Sequence, residues 1–166
     1  MMKCILGIDP GSRITGFGVI EVVTQRVRYI ASGCIRTAGE DFPGRLRVIY
    51  EGVCEVITTY HPHEAVVENV FMQRNAAAAL KLGQARGAAI CALVNHALAV
   101  HEYSPTQIKQ AVVGRGHADK GQVQHMVQAL LDLPTVPQAD AADALAAALC
   151  HGHQNQLLTA LAGGFS

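Results

Sequence analysis

The run CILGID is short, apolar and ends on Asp9; past the turn PGS comes GFGVIEVV, a second run of the same character. Together they predict two strands joined by a tight connection, and RVRYIASGCIRT predicts a third. From Pro43 to Tyr60 the period changes: Leu46, Ile49, Tyr50, Val53, Val56 and Ile57 recur at helical spacing. HEAVVEN then reads as an apolar strand ending at Glu68. Asn75 to about Leu98 predicts a long Ala-rich helix, and AVHEY a further strand. Ser104, Pro105 and Gln107 form a capping-box start with Pro at the first helical position, for a short helix reaching Val113. After GRGH, Asp119 caps a helix that carries Val123, Met126, Val127, Leu130 and Leu131 on one stripe. A last helix starts at Asp140. Strands first, then alternating helices and strands, predict an α/β fold with helices on the faces of a mixed sheet.

Composition narrows this. With 166 residues, half of them apolar, the chain is long enough for one domain with a full core and too apolar to be disordered. A single domain over 1–156 and a frayed tail over 157–166 are expected, the tail on account of its ALAGGFS ending. No uninterrupted apolar run approaches the roughly 20 residues that span a bilayer, and MMKCILGIDPG lacks the cleavage site of a signal peptide. A cytoplasmic protein without a membrane partner is expected.

The five cysteines never form a CxxC pair, so neither a disulfide framework nor a zinc knuckle follows. His61 with His63, and His151 with His153, form HxH pairs that could bind metal but, with no Cys partners beside them, read first as surface or helix-end histidines and stay unassigned. The net charge is zero, with 13 basic and 13 acidic residues, which does not advertise nucleic-acid binding. The distribution can reverse that reading. If four of the acids held two divalent ions, the site would be neutral and the remaining charge about +4, enough to steer toward phosphate.

The candidate chemistry lies in carboxylates. Asp9 and Glu68 both stand where an apolar strand ends, which is where α/β sheets place their sites. In VPQADAADALAAAL, Asp140 and Asp143 sit three apart on one helix face within an otherwise apolar stretch. One reading is local: Asp140 as N-cap and Asp143 as an acid at the third helical position, both favoured by free N–H groups and the helix dipole. The other is convergence of four carboxylates on one point. Such a cluster raises its members' pKa values and is relieved by hard divalent cations, Mg²⁺ or Mn²⁺. Two such ions serve phosphodiester cleavage. Spacing alone leaves both readings open.

Four stretches, GIDPGSRITGFGVI, ENVFMQRNAAAALKLGQARGAA, KQAVVG and PQADAADALA, together resemble the RuvC family of Holliday-junction resolvases, in the family's order over about residues 3–153. The resemblance implies a ribonuclease-H-like fold, a mixed five-stranded sheet flanked by helices on both faces. It implies a homodimer that nicks two strands of four-way junction DNA symmetrically, in recombination and repair. It also implies dependence on Mg²⁺, two ions per site with Mn²⁺ able to substitute, and a partner branch-migration complex of the RuvA–RuvB type. The acidic tetrad of the family falls on Asp9, Glu68, Asp140 and Asp143. Phe71 matches an aromatic that stacks on junction DNA, and Arg74, Lys109 and Lys120 match basic positions that hold phosphates.

Each match has a plainer counterpart. Phe71 could be a core residue, although its polar-flanked stretch suits an exposed ring for stacking. Lys120, beside the Asp119 cap, could be merely solvated. The chain also departs from the family's basic tail, having no Lys or Arg after His153. Two other classes compete: a catalytically silent junction-binding protein, and an actin-like ATPase or sugar kinase, whose first phosphate loop GIDPGSRITGFGVI also resembles. The second needs another phosphate-binding domain, for which 166 residues leave no room. A two-fold dimer would use the 75–98 helix. There Leu80, Gly83, Gly87, Cys91 and Val94 form one stripe and Leu82, Ala85, Ala89 and Leu93 another, with Lys81 and Arg86 between them.

Overall fold

The computed structural model describes residues 1–69 and 75–163. Strands β1 (Met2–Asp9), β2 (Ile14–Val23) and β3 (Arg26–Arg36) are followed by helix α1 (Phe42–Tyr60), strand β4 (Glu64–Glu68) and helix α2 (Ala76–Asn95). Strand β5 (Ala99–Tyr103) and helices α3 (Pro105–Val113), α4 (Lys120–Leu130) and α5 (Ala139–Gly163) complete the order. The five strands form one sheet in the order β3-β2-β1-β4-β5. β1–β2 and β2–β3 pair antiparallel, whereas β1–β4 and β4–β5 pair parallel. Consecutive hairpin strands explain the first half. The parallel half needs helical crossovers, and α1 and α2 supply them.

The central position of β1 accounts for its apolar run. Ile5 faces a core shared with α3, α4 and α5, while Leu6 and Ile8 face a second core shared with α1 and α2. All three are fully buried, as a strand covered on both sides requires. The helices thus lie on both faces of the sheet, as expected from the sequence.

Local chemistry sets the helix starts. The Asp41 carboxylate accepts from the Gly44 N–H at 2.8 Å and Pro43 fills the first turn of α1. Capping boxes Ser104/Gln107 and Asp119/Gln122 open α3 and α4. Two ends differ from expectation. α2 stops at Asn95 and not near Leu98, because His96 closes the helix and Ala97 turns into the left-handed region at φ 58°. The expected frayed tail is helical as far as Gly163, since its Leu- and Ala-rich sequence simply prolongs α5.

Helix α2 is long and apolar enough, by length and composition, to cross a membrane. In this fold it is a layer helix. Ala85, Ala89, Ala92 and Leu93 are fully buried against the α1 side of the core, and Arg86 is ion-paired to Glu102 of β5. Its other face is open: Leu80 is 70 % and Val94 57 % exposed.

Candidate active site

The site begins with register. Ile8 of β1 pairs with Val67 of β4, so Asp9 and Glu68 follow side by side at the carboxyl ends of adjacent parallel strands. The turn after Asp9 is fixed from within. Buried Thr15 donates its hydroxyl to the Gly11 carbonyl at 3.0 Å and accepts from the Gly11 N–H at 3.3 Å. Buried Thr37 donates to the Ser12 carbonyl at 2.8 Å. Neither threonine stood out in the sequence. Both hold residues 11–13 through the backbone, which no periodicity reports.

Helix α5 reaches the same place because the sheet lets it come close. A Cβ on Gly16 would collide with the Asp140 carbonyl oxygen, and one on Gly7 with the Ala144 carbonyl oxygen. The opposing helix face is equally small, with Ala141, Ala142, Ala144 and Ala148 all buried. This close approach carries Asp140 and Asp143 toward the ends of β1 and β4. The capping reading of Asp140 does not hold: α5 starts one residue earlier at Ala139, and the Ala142 N–H bonds to the Gln138 carbonyl at 2.8 Å. Asp140 lies inside the first turn, and Asp143 one turn further along the same face. Pro137 and Gln138 set this start. The Pro137 carbonyl accepts from Gln124 at 3.1 Å, and the Gln138 side chain accepts from the Cys34 thiol at 3.2 Å.

Asp9, Glu68, Asp140 and Asp143 line one cleft of about 460 Å³, together with Lys109 and Lys120. Its electrostatics show the crowding. Burial, reinforced by Asp143, Glu68 and Asp140, pushes the Asp9 carboxyl up to about 8 despite Lys120. Burial and Asp143 push Glu68 up to about 7 against the pull of Lys109 and Lys120. Asp143 is also raised, by burial first and by Asp140, with both lysines opposing. The cleft therefore holds more negative charge than its two lysines neutralise, and its donors are all oxygen. That is the setting for a hard divalent cation.

Lys109 and Lys120, expected as phosphate contacts, thus stand at the carboxylates on α3 and at the first residue of α4. Asp119 is the α4 cap as well, so cap and cleft lysine are neighbours. Phe71 and Arg74 lie outside the described residues. Sequence reasoning missed Arg86. Its Nε donates to the Glu68 carbonyl at 3.5 Å, and its Nη2 donates to Asn69 at 3.2 Å and pairs with Glu102. The strand end that presents Glu68 is thereby tied to α2 and β5. An Arg at helical spacing among apolar residues was the available signal.

The HxH pairs divide. His61 is the left-handed C-cap of α1, as a helix-end histidine should be, and His63 Nδ1 accepts from the Cys4 N–H at 2.9 Å. His151 departs from expectation. It is buried at 2 % exposure in the middle of α5 and bonded to Glu64 and Tyr103, because the helix continues past it.

Comparison with known proteins supplies the context for this cleft. The family model for crossover junction endodeoxyribonuclease RuvC matches residues 5–151. The crossover junction endodeoxyribonuclease RuvC of Vibrio vulnificus (strain CMCP6) is 61 % identical over 162 residues, 98 % of this chain and 94 % of that protein. That of Photobacterium profundum is 62 % identical with the same coverage. The structure of Thermus thermophilus RuvC in complex with a Holliday junction substrate superposes with a TM-score of 0.87 at 35 % identity, covering 95 % of this chain and 97 % of that one. The yeast mitochondrial Holliday junction resolvase Ydc2 superposes at a TM-score of 0.68 with 15 % identity, over 93 % of this chain and 80 % of that one, and shares the fold.

Proposed function

The chain belongs to the RuvC family of crossover junction endodeoxyribonucleases, with its ribonuclease-H-like fold, and from that premise we propose that its acidic cleft is the cutting site. The protein is an endonuclease that resolves four-way DNA junctions by nicking phosphodiester bonds. Asp9, Glu68, Asp140 and Asp143 are the catalytic and metal-holding residues. The observation that carries this reading is the convergence of the four in one cleft with two lysines.

The family is metal-dependent, and the residues fit such an ion. The cleft carries four carboxylates, an all-oxygen donor set in which burial first, and then mutual repulsion, raises Asp9, Glu68 and Asp143. We assign it two Mg²⁺, with Mn²⁺ able to substitute. When bound, these ions supply an attacking water of lowered pKa and positive charge at the scissile phosphate. The chain's own residues do the rest. Asp9 and Glu68, on the rigid carboxyl ends of adjacent strands, fix the donor oxygens on the sheet. Asp140 and Asp143 add two from a helix pressed against it. Lys109 and Lys120 attract the DNA backbone and offset the charge of the carboxylates. Phe71 and Arg74 would extend the DNA contact, by stacking and by phosphate binding.

A two-fold dimer fits the open stripe of α2 and gives one cleft to each of two symmetry-related strands. A RuvA–RuvB-type branch-migration complex is the expected partner, in the cytoplasm where the DNA is. The test is a synthetic four-way junction incubated with and without Mg²⁺. Wild type should cut it in paired nicks only with the metal. Asp9→Asn should bind the junction, since binding rests on phosphate contacts and shape, yet leave it uncut. Cutting by Asp9→Asn would remove Asp9 from the mechanism. Loss of binding at unchanged thermal stability would make it part of the binding surface instead.

A further inference from the structure

On the α5-facing side of the sheet lies a second group of chemistry-bearing side chains that the cutting reaction does not use. Glu64 opens β4, His101 lies in β5, and His151 is on α5, eight residues beyond Asp143. At 1.5 Å per residue that places His151 roughly 12 Å along the helix from the acidic cleft. Each of the three residues offers one ligand atom, and those atoms all lie within 4.8 Å of one another. Glu64 Oε2 is 2.7 Å from His151 Nε2, and the two imidazole rings stack with centroids 4.1 Å apart.

We propose that Glu64, His101 and His151 form a binding site for one Zn²⁺ ion, separate from the acidic cleft, that fastens α5 to β4 and β5. The donor set is two nitrogens and one carboxylate oxygen, which suits a borderline transition ion and not Mg²⁺. That difference in softness lets the two sites of one chain select different metals. The surroundings orient the donors. The Tyr103 hydroxyl lies 2.8 Å from His151 Nδ1 and directs the other nitrogen, Nε2, toward Glu64. Before metal binds, Lys3 donates to Glu64 Oε1 at 2.7 Å and Asn155 donates to Oε2 at 3.2 Å. Binding displaces the hydrogen-bonding proton between Glu64 and His151 and widens their separation to roughly 3.3 Å, the edge of a zinc tetrahedron. The three ligand atoms start within 4.8 Å of one another. Glu64 must therefore rotate, and His101 must turn out of its stack on His151, for all three to meet at one ion. Water supplies the fourth ligand.

The proposal stands without the nuclease reading, and its test needs no DNA. Full-length protein is stripped with EDTA, then titrated with Zn²⁺ by calorimetry and melted at each metal concentration. Wild type and Asp9→Asn should each take up one Zn²⁺ at this site and melt higher as it fills. His101→Phe keeps a ring against His151 but removes a ligand, and should bind more than about tenfold weaker. Glu64→Gln should do the same. Co²⁺ added to wild type should give the strong visible bands of a tetrahedral nitrogen-bearing site, a readout independent of any variant's folding. Equal affinity in folded His101→Phe and Glu64→Gln would overturn the proposal. So would the absence of both stabilisation by Zn²⁺ and the Co²⁺ bands in wild type.

Discussion

A carboxyl group with a folded-state pKa of about 8 is a statement about stability as much as about chemistry. Asp9 and Glu68 ordinarily titrate at 3.8 and 4.5, and are raised to about 8 and 7 in the metal-free fold. Between those limits the folded chain holds more protons than the unfolded one, so stability is complete below the ordinary values and is lost as pH rises through about 7 and 8. In EDTA, stability should therefore fall by several kcal/mol, at most about 7, between roughly pH 5 and pH 9. Mg²⁺ should flatten the decline, as should Asp9→Asn. A melting temperature that rises across that range in EDTA would contradict the crowding. Asp140→Asn and Asp143→Asn separate the two readings of the α5 start. Asn caps about as well as Asp, so a mere cap would leave cleavage near wild type. Ligands would lose it by orders of magnitude, with metal-free stability held or raised as one charge leaves the cluster. Junction cleavage in Mg²⁺ beside melting in EDTA decides it. The four acids were legible as strand-end and helix-face residues, but their convergence was legible only through the family resemblance, because no local pattern encodes how closely α5 approaches the sheet.

At the scale of elements, that approach rests on glycines facing alanines. Gly16 sits opposite the Asp140 carbonyl in β2, and an added methyl group has only backbone to meet. Gly16→Ala should push the first turn of α5 outward, costing about 1–3 kcal/mol by overpacking. Cleavage should fall further than that loss of stability explains, since Asp140 and Asp143 move with the turn. Wild-type melting and wild-type cleavage together would show that α5 is not held there by contact. The elements themselves were readable wherever period and cap agreed: the Ser104/Gln107 capping box of α3 and the Asp119 cap of α4 appear as the sequence predicted. Reading failed where position in the fold decided. Pro137 and Gln138 place the α5 start ahead of Asp140 through bonds to α4 and β3, and left-handed Ala97 ends α2 early. His151 reads as a helix-end residue only until one knows that α5 runs on to Gly163.

For the whole molecule the open question is what α2 meets with its outer face. The inner stripe is occupied: Ala85, Ala89 and Leu93 are fully buried. On the outer stripe Leu80 and Val94 are mostly exposed, and nothing among the described residues lies within 4 Å of a Cβ built on Gly83 or Gly87. Two glycines in a helix each cost about 1 kcal/mol relative to Ala, and among the described residues that cost has no structural return. Close packing of a second copy against the glycines would supply one. Gly83→Gln exploits the contrast. Inside a single chain the new side chain points into open space and restores helix propensity, so below the dissociation constant the variant should gain roughly 1 kcal/mol, a melting shift of about 2–4 °C. Across a two-fold interface the same side chain collides with the partner, so sedimentation should show the dimer weakened by at least about tenfold. Junction nicking should persist at each cleft, because the acidic residues are untouched, while the two cuts lose their pairing in time. Undiminished dimerisation in the stabilised variant would place the interface elsewhere, and paired cutting by a sedimenting monomer would show that two-fold symmetry is not what couples the nicks.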